Sequence, residues 1–284
     1  MNKRLGINVL LIAFLCGLAL IVWLKPGQQQ ETAIKLTNID PSAIHTISIQ
    51  RKNANNIVMS LDGDQWKITS PIQAPALPSK VERLLKISQI NVTTEYPLES
   101  QSLEKFNLIR PNIKVSFNNT MLSIGNTEPV QHRRYVANTT SLFLVDDTFT
   151  HHLSAPISQY IDTRLFSDDI QITELKTPTL HLRRQPDNTW QTHPVNSLEP
   201  LSADAVQTLL DEWRFARAIK VNTKESSHNK PNVVVTLNNG SQYIFTLTKT
   251  PNGVTLTPTD NQLNYHFSAE KYKSMTELKS LPDA

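Results

Sequence analysis

Apolar and polar residues alternate along this chain with two periods, and the switch from one to the other happens twice in the same order. Period-two runs at residues 44–50 and 57–61 lead into a turn at Asp62-Gly63-Asp64 and a third run at 66–69. Asp-Gly between alternating runs is a hairpin signal, because the tight turn needs a residue at ease with positive φ. Period 3.6 follows, with Val81, Leu84, Leu85 and Ser88 on one helical face. Ser79 with Glu82 three residues on, just behind Pro78, reads as a capping box. Alternating runs at 113–117, 121–124, 133–137 and 142–145 predict a strand meander, closed by a short helix near 146–153. The second round has a strand at 179–184, a turn at Pro186-Asp187-Asn188 and a strand at 190–193. Its helix takes Ser202 as N-cap, Asp204 at its positive end, and Val206, Leu209, Leu210 and Trp213 as its apolar face. Strands at 233–237, 243–247, 254–257 and 264–267 and a helix near 269–278 complete it.

The two rounds align residue by residue. Trp66 maps to Trp190, 124 positions on; Val81, Leu84 and Leu85 map to Val206, Leu209 and Leu210, 125 on; Pro111 maps to Pro231, 120 on. The small changes of offset fall between elements, where loops absorb them. Strands joined by tight turns run antiparallel, and one helix covers one sheet face. The expected fold is therefore α+β: two tandem repeats of a largely antiparallel β-meander module with one packed helix each, over residues 36–166 and 167–284.

Ahead of both repeats, residues 7–24 form an uncharged run with one polar residue, Asn8. Its 18 residues approach the roughly 20 that a membrane-crossing helix uses. Lys3 and Arg4 precede it and Trp23 closes it, which places the N-terminus in the cytoplasm and the rest across the membrane. A cleaved signal peptide would show a shorter apolar core and a small-x-small site, and none follows. A lipoprotein would carry small residues before Cys16, where Phe14 and Leu15 stand. The expectation is a cytoplasmic tip and single transmembrane anchor over 1–25, a polar tether over 26–35 with Gln28-Gln29-Gln30, and a periplasmic body held at the bacterial inner membrane.

Composition sharpens this in three ways. The formal charge of +3 belongs to the N-terminal segment: Lys3, Arg4 and Lys25 set aside, 25 basic side chains face 25 acidic ones. A neutral body lacks the footprint of a nucleic-acid binder. Only 7 glycines in 284 residues argue against phosphate-cradling loops. The single cysteine, Cys16, rules out an intramolecular disulfide.

Candidate chemistry is sparse. His151-His152 are adjacent, so on a helix they point about 100° apart and chelate one metal poorly. His132-Arg133-Arg134-Tyr135 is the densest basic group, and Arg183-Arg184 repeats it in the second round. Arg133, Arg134, Tyr135, Arg183 and Arg184 are the candidate surface for an anionic glycan, a lipid headgroup or an acidic partner. The plainer alternative is a solvated strand with one Arg paired to a carboxylate. Asp62-Gly63-Asp64 is a turn, since Trp66 and Lys67 arrive where a calcium loop needs oxygen ligands. Asp146-Asp147 and Asp168-Asp169 fall where helices should start, which the helix dipole explains without catalysis. Trp66 and Trp190 read as core, with carbohydrate stacking as the alternative. No Gly-x-Ser-x-Gly, His-Glu-x-x-His or Gly-Lys-Ser/Thr motif occurs, and no cofactor is expected.

Several short motifs carry a family resemblance. They are Leu36-Thr37-Asn38-Ile39-Asp40, Trp66-Lys67-Ile68-Thr69-Ser70-Pro71, the helix ending in Leu84-Leu85, and Phe106-Asn107-Leu108-Ile109-Arg110-Pro111. Ile124-Gly125 followed by Arg134-Tyr135-Val136, and Asp162-Thr163-Arg164-Leu165, complete the set. Together they resemble the bacterial domain-of-unknown-function family 4340, best over residues 36–166. Where the family usually has Gly before that Leu, this chain has Asn107, which also tolerates a left-handed turn. The resemblance implies a membrane-anchored exported protein, and through some members an association with gliding-motility-type ABC transporter components. It supplies no catalytic residues. The expected role is thus a non-enzymatic accessory or scaffold subunit of an envelope or ABC-transporter-type complex, with membrane proteins as partners. The alternative is a binding module for an envelope glycan or lipid. An envelope hydrolase ranks third.

Overall fold

The computed structural model describes residues 3–24, 34–166, 170–192, 201–223, 230–260 and 263–278. Helix α1 (Lys3–Leu24) comes first. Strands β1 (Thr46–Arg51), β2 (Ala54–Asp62), β3 (Gln65–Ser70) and β4 (Ala74–Pro75) precede helix α2 (Pro78–Ile87) and strand β5 (Val92–Pro97). A meander follows through β6 (Ile113–Phe117), β7 (Thr120–Thr127), β8 (Arg134–Ala137) and β9 (Ser141–Val145), then the single turn of α3 (Thr150–Leu153). Strands β10 (Ile172–Lys176), β11 (His181–Arg184) and β12 (Trp190–Thr192), helix α4 (Ala203–Arg214) and β13 (Lys220–Thr223) come next. The chain then runs through β14 (Val233–Leu237), β15 (Gln242–Thr250), β16 (Gly253–Pro258), β17 (Leu263–Ser268) and α5 (Ala269–Thr276).

These form a mixed α+β structure with two antiparallel sheets. The first has the order β4-β3-β2-β1-β6-β7-β8-β9-β5 and the second β12-β11-β10-β14-β15-β16-β17-β13. With β4 set aside, the orders match position for position. In each sheet the strand after the helix returns to the far edge, beside the last strand of the meander.

Alternation explains the core. Ile47 and Ile49 of β1, Ile57 and Met59 of β2, and Val115 and Phe117 of β6 turn the same way and are fully buried, as period-two side chains on paired strands must. Helix α2 lays Val81, Leu84 and Ile87 on this cluster, and α4 lays Val206, Leu209, Leu210 and Trp213 on its own. Buried side chains of both sheets belong to one continuous cluster.

The helix starts differ from each other for a physical reason. Ser202 caps α4 as expected, its hydroxyl accepting from the Ala205 amide at 3.4 Å. The capping box at Ser79 does not form. Pro78 itself is the first helical residue, Leu77 is the N-cap, and no side chain caps the end. Proline's fixed φ and missing N–H suit the first helical position, so Ser79 falls one place inside. Glu82 pairs instead with Lys86 at 2.7 Å.

Other expectations need correction. Four strands carried no signal: the two-residue β4, β10, and the edge strands β5 and β13. The closing helices shrink to Thr150–Leu153 and Ala269–Thr276. Ile34 and Lys35, assigned to the tether, pair with the body: the Val92 amide donates to the Ile34 carbonyl at 2.8 Å, and Lys35 bridges Asn91. His193, Asp168 and Asp169 lie outside the described residues.

The described side chains of α1, residues 6–20, are all exposed. Among the described residues, no helix is long and apolar enough to cross a membrane.

The segment between the sheets is stitched to both. The Leu77 amide donates to the Tyr160 carbonyl, and the Asp162 amide to Pro75 at 2.9 Å. Three residues on, the Leu165 amide donates to Ala216 at 2.9 Å, and the Ala218 amide to Thr163 at 2.8 Å.

Gly125 is required by close approach. A Cβ on Gly125 would lie 2.5 Å from the Phe106 carbonyl oxygen and 3.1 Å from the Leu108 side chain. Backbone cannot yield as a flexible side chain can, so Gly125→Ala is expected to cost about 2–3 kcal/mol. The measurement is the thermal midpoint of the variant; an unchanged midpoint would show that the loop gives way freely.

Candidate functional site

The family-like motifs of the first sheet meet at one place. Asn107 has φ of 55°, the left-handed conformation expected of it. That turn sets the Phe106 carbonyl over Gly125, where it accepts from the Asn126 amide at 2.9 Å. Arg134 donates from Nη1 to the Gly125 carbonyl at 3.0 Å and from Nε to Asp147 Oδ2 at 2.9 Å. The Tyr135 ring sits 4.4 Å from that of Phe106. Arg134 and Tyr135 therefore hold the loop before β6 onto β7 and β8. Arg133 lies 3.8 Å from Asp146. Both Asp146 and Asp147 thus have arginine partners, and Asp147 also accepts from the Thr150 amide at the start of α3.

Arg183 and Arg184 stand on the other sheet. Cross-strand register places Arg183 opposite Glu174 and Gln191, and Arg184 opposite Trp190. The five nominated residues thus form two groups that share no hydrogen bond or ion pair among the described residues.

Arg184 and Trp190 do converge with a third element. They line a cavity of about 400 Å³ between the β10–β12 edge and α4. Its apolar walls include Ile172 and Leu210, and Gln207, Asp211 and Arg214 line it from α4. Those three recur at i, i+4 and i+7, so they share a stripe beside the buried face. Gln207 donates to Asp211 at 3.0 Å, and the Arg214 guanidinium lies 5.0 Å over the Phe215 ring. Trp190 is half-buried and packs against the core with one part of its ring. An amphipathic aromatic flanked by planar polar groups can hold a sugar ring or a headgroup. The α4 stripe was missed from sequence; its spacing is the signal that could have found it. Residues 193–200, which follow β12 in sequence, lie outside the described residues.

A smaller cavity of about 150 Å³ opens where the inter-sheet segment meets the second sheet, lined by Asp162, Arg164, Phe166, Tyr243 and Tyr265 among others. Asp162 is 2% exposed and accepts from the Arg164 amide at 3.0 Å and from its Nε at 2.7 Å. Burial, with Asp162 and Asp260 nearby, pushes the Tyr265 hydroxyl up to about 12, so it stays a donor at neutral pH.

The histidine pair departs from expectation. In the single turn of α3 the rings touch, with centroids 3.8 Å apart. Among the described residues, no group of three or more His, Cys, Asp or Glu gathers to hold a metal. Burial, then His151, Lys80 and Arg83, lower the His152 pKa. Burial and then Lys220 lower that of His266, whose ring bonds Thr255 at 2.9 Å and Asn222 at 2.5 Å and so ties β13 to β17. Both stay neutral in the fold at pH values where the unfolded chain takes up protons. Their contribution is present above the ordinary histidine range and is lost as pH falls through the lowered folded pKa. The thermal midpoint is expected to drop between pH 7.5 and 5.5, and less steeply in His266→Gln. An equal slope in that variant would remove His266 from the account.

These features define a class: an α+β protein with two antiparallel sheets of matching strand order, whose short motifs fix loops rather than catalytic groups. The chain belongs to the family described as Domain of unknown function (DUF4340), whose profile matches residues 66–232. That span begins at Trp66 and runs well into the second sheet, past residue 166 where the recognisable motifs thin out. Neither a curated protein nor a solved structure matches the chain.

Proposed function

We propose that this chain is an exported bacterial envelope protein, anchored in the inner membrane by α1 with its N-terminus in the cytoplasm and both sheets in the periplasm. There it serves, without catalysis of its own, as an accessory or scaffold subunit of an ABC-transporter-type complex. The observation that carries the reading is α1. Its 22 residues contain the uncharged run at 7–24, which extends about 27 Å at 1.5 Å per residue against the roughly 30 Å of a bilayer's hydrocarbon core, short of a full crossing among the described residues. Ile7, Val9, Leu10 and Ile12 lie on different sides of it, and all are exposed. Apolar surface uncovered all round a helix is stable only in an apolar medium. Lys3 and Arg4 at one end give the orientation. The body reads as a duplicated module, and the matching strand orders support that. Its balanced charge favours protein partners over nucleic acid.

The test is purification of the tagged full-length protein from native membranes in mild detergent. A permease and an ATPase co-eluting in fixed ratio support the reading. A protein that elutes alone overturns the accessory role.

The cavity beside Trp190 favours a second reading, a binding module for an envelope glycan or lipid. Trp190 fluorescence in a Trp23→Phe, Trp66→Phe, Trp213→Phe chain, where it is the one tryptophan left, should then be quenched by acrylamide and protected by the bound molecule. A blue-shifted, unquenchable signal would end that reading.

A further inference from the structure

Where the β1–β2 turn meets the start of β6, four cations line one concave surface of about 380 Å³: Arg51, Lys52, Arg110 and Lys114. Gln50 and Asn112 lie among them, and among the described residues no carboxylate lines the basin. Strand register produces the cluster. Gln50 stands opposite Lys114, and the Lys52 amide donates to the Asn112 carbonyl at 3.0 Å. Lys52 is therefore two residues past Gln50, on the same face and diagonal to Lys114, a separation of about 7–8 Å between such backbone positions. Arg110 enters from the loop that Asn107 and Gly125 seat on the sheet. Arg51 is fixed rather than free: its guanidinium donates to the Ala155 carbonyl at 2.7 Å and to Asn55 at 2.8 Å. Both acceptors are neutral, so its charge stays uncompensated, and its buried Nε–H has no acceptor among the described residues.

Elsewhere several basic side chains of this body find acids. Lys67 pairs with Asp62, Lys86 with Glu82, Arg134 with Asp147 and Lys271 with Glu212. Among the described residues, Lys52, Arg110 and Lys114 have no ion pair. Four like charges around one hollow repel each other, and a compact anion of two charges turns that repulsion into attraction. Three oxygens on one centre can also take the Arg110 fork and the two ammonium groups together. Asn112 and Gln50 add neutral donors.

We propose that this basin binds a phosphate group, carried either by a small soluble ligand or by the headgroup of an anionic phospholipid. It is separate from the cavity beside Trp190 and does not depend on the accessory role. The test uses the full-length protein in neutral maltoside micelles at low salt, titrated calorimetrically with inorganic phosphate and, separately, with dioctanoyl phosphatidylglycerol. Saturable binding of inorganic phosphate, weakened about tenfold in Lys52→Gln/Arg110→Gln and unchanged in Lys176→Gln, supports the site with a soluble phosphate source. Binding of the short-chain lipid alone, with the same variant pattern, supports it with a headgroup source. Because Lys52 and Arg110 are exposed and have no ion pair among the described residues, the double variant should melt no lower than its parent without phosphate, so a loss of binding cannot be laid to unfolding. No saturable binding of either probe, or equal binding by the double variant, overturns the proposal.

Discussion

Trp213→Ala is expected to remove about 4 kcal/mol of stability and lower the thermal midpoint of the full-length protein by roughly 10 °C. Trp213 is fully buried and is the largest such side chain among the described residues. Its ring fills the space between α4 and α5, and its indole N–H donates to the Met275 carbonyl at 2.6 Å. Alanine loses the apolar contact, leaves a cavity and strands that carbonyl. Trp213→Phe keeps most of the packing and loses the hydrogen bond, so about 1–2 kcal/mol is expected. Equal losses in the two variants would mean that the hydrogen bond, not the packing, dominates.

Asp162→Ala is the second large effect, about 3 kcal/mol. Removing one partner of a buried pair leaves the other charge unbalanced, at a cost of roughly 3–5 kcal/mol. Arg164 keeps a third of its side chain exposed, so water recovers part of that cost. The damage should concentrate at the stitch between the sheets. Hydrogen exchange at the Leu165 and Ala218 amides, which bond Ala216 and Thr163 across it, should accelerate about a hundredfold, since each 1.4 kcal/mol is a factor of ten. Exchange that rises equally across both sheets would instead indicate a general loss of stability.

What could be read from sequence follows from how local its cause is. The α4 face was legible because Val206, Leu209, Leu210 and Trp213 obey the helical period unaided. The Asn107 turn was legible because few side chains tolerate its φ. Strands β5 and β13 were not, because at a sheet edge only Val221 of β13, and no residue of β5, is buried. The β10 strand does not alternate, since an irregularity between Ile172 and Glu174 leaves its buried Ile172 and Leu175 three residues apart. Arg134 was nominated as a surface group because its partner Asp147 lies thirteen residues away, across a strand pairing that no local spacing reports. The phosphate basin has the same origin: Lys52, Arg110 and Lys114 are scattered in sequence, and only the β1–β6 register gathers them. Ser79 misled because a capping box and a proline at the first helical position compete, and proline's geometry prevailed.

The central claim is that the chain is exported and held at the membrane by α1. Its single cysteine makes the decisive measurement simple. In a Cys16→Ser, Asp64→Cys chain the only thiol sits in the exposed β2–β3 turn, and a membrane-impermeant maleimide is applied to intact bacteria. Labelling as complete in intact cells as in lysed ones is the expected result. Labelling only after lysis would put the sheets in the cytoplasm and contradict the account.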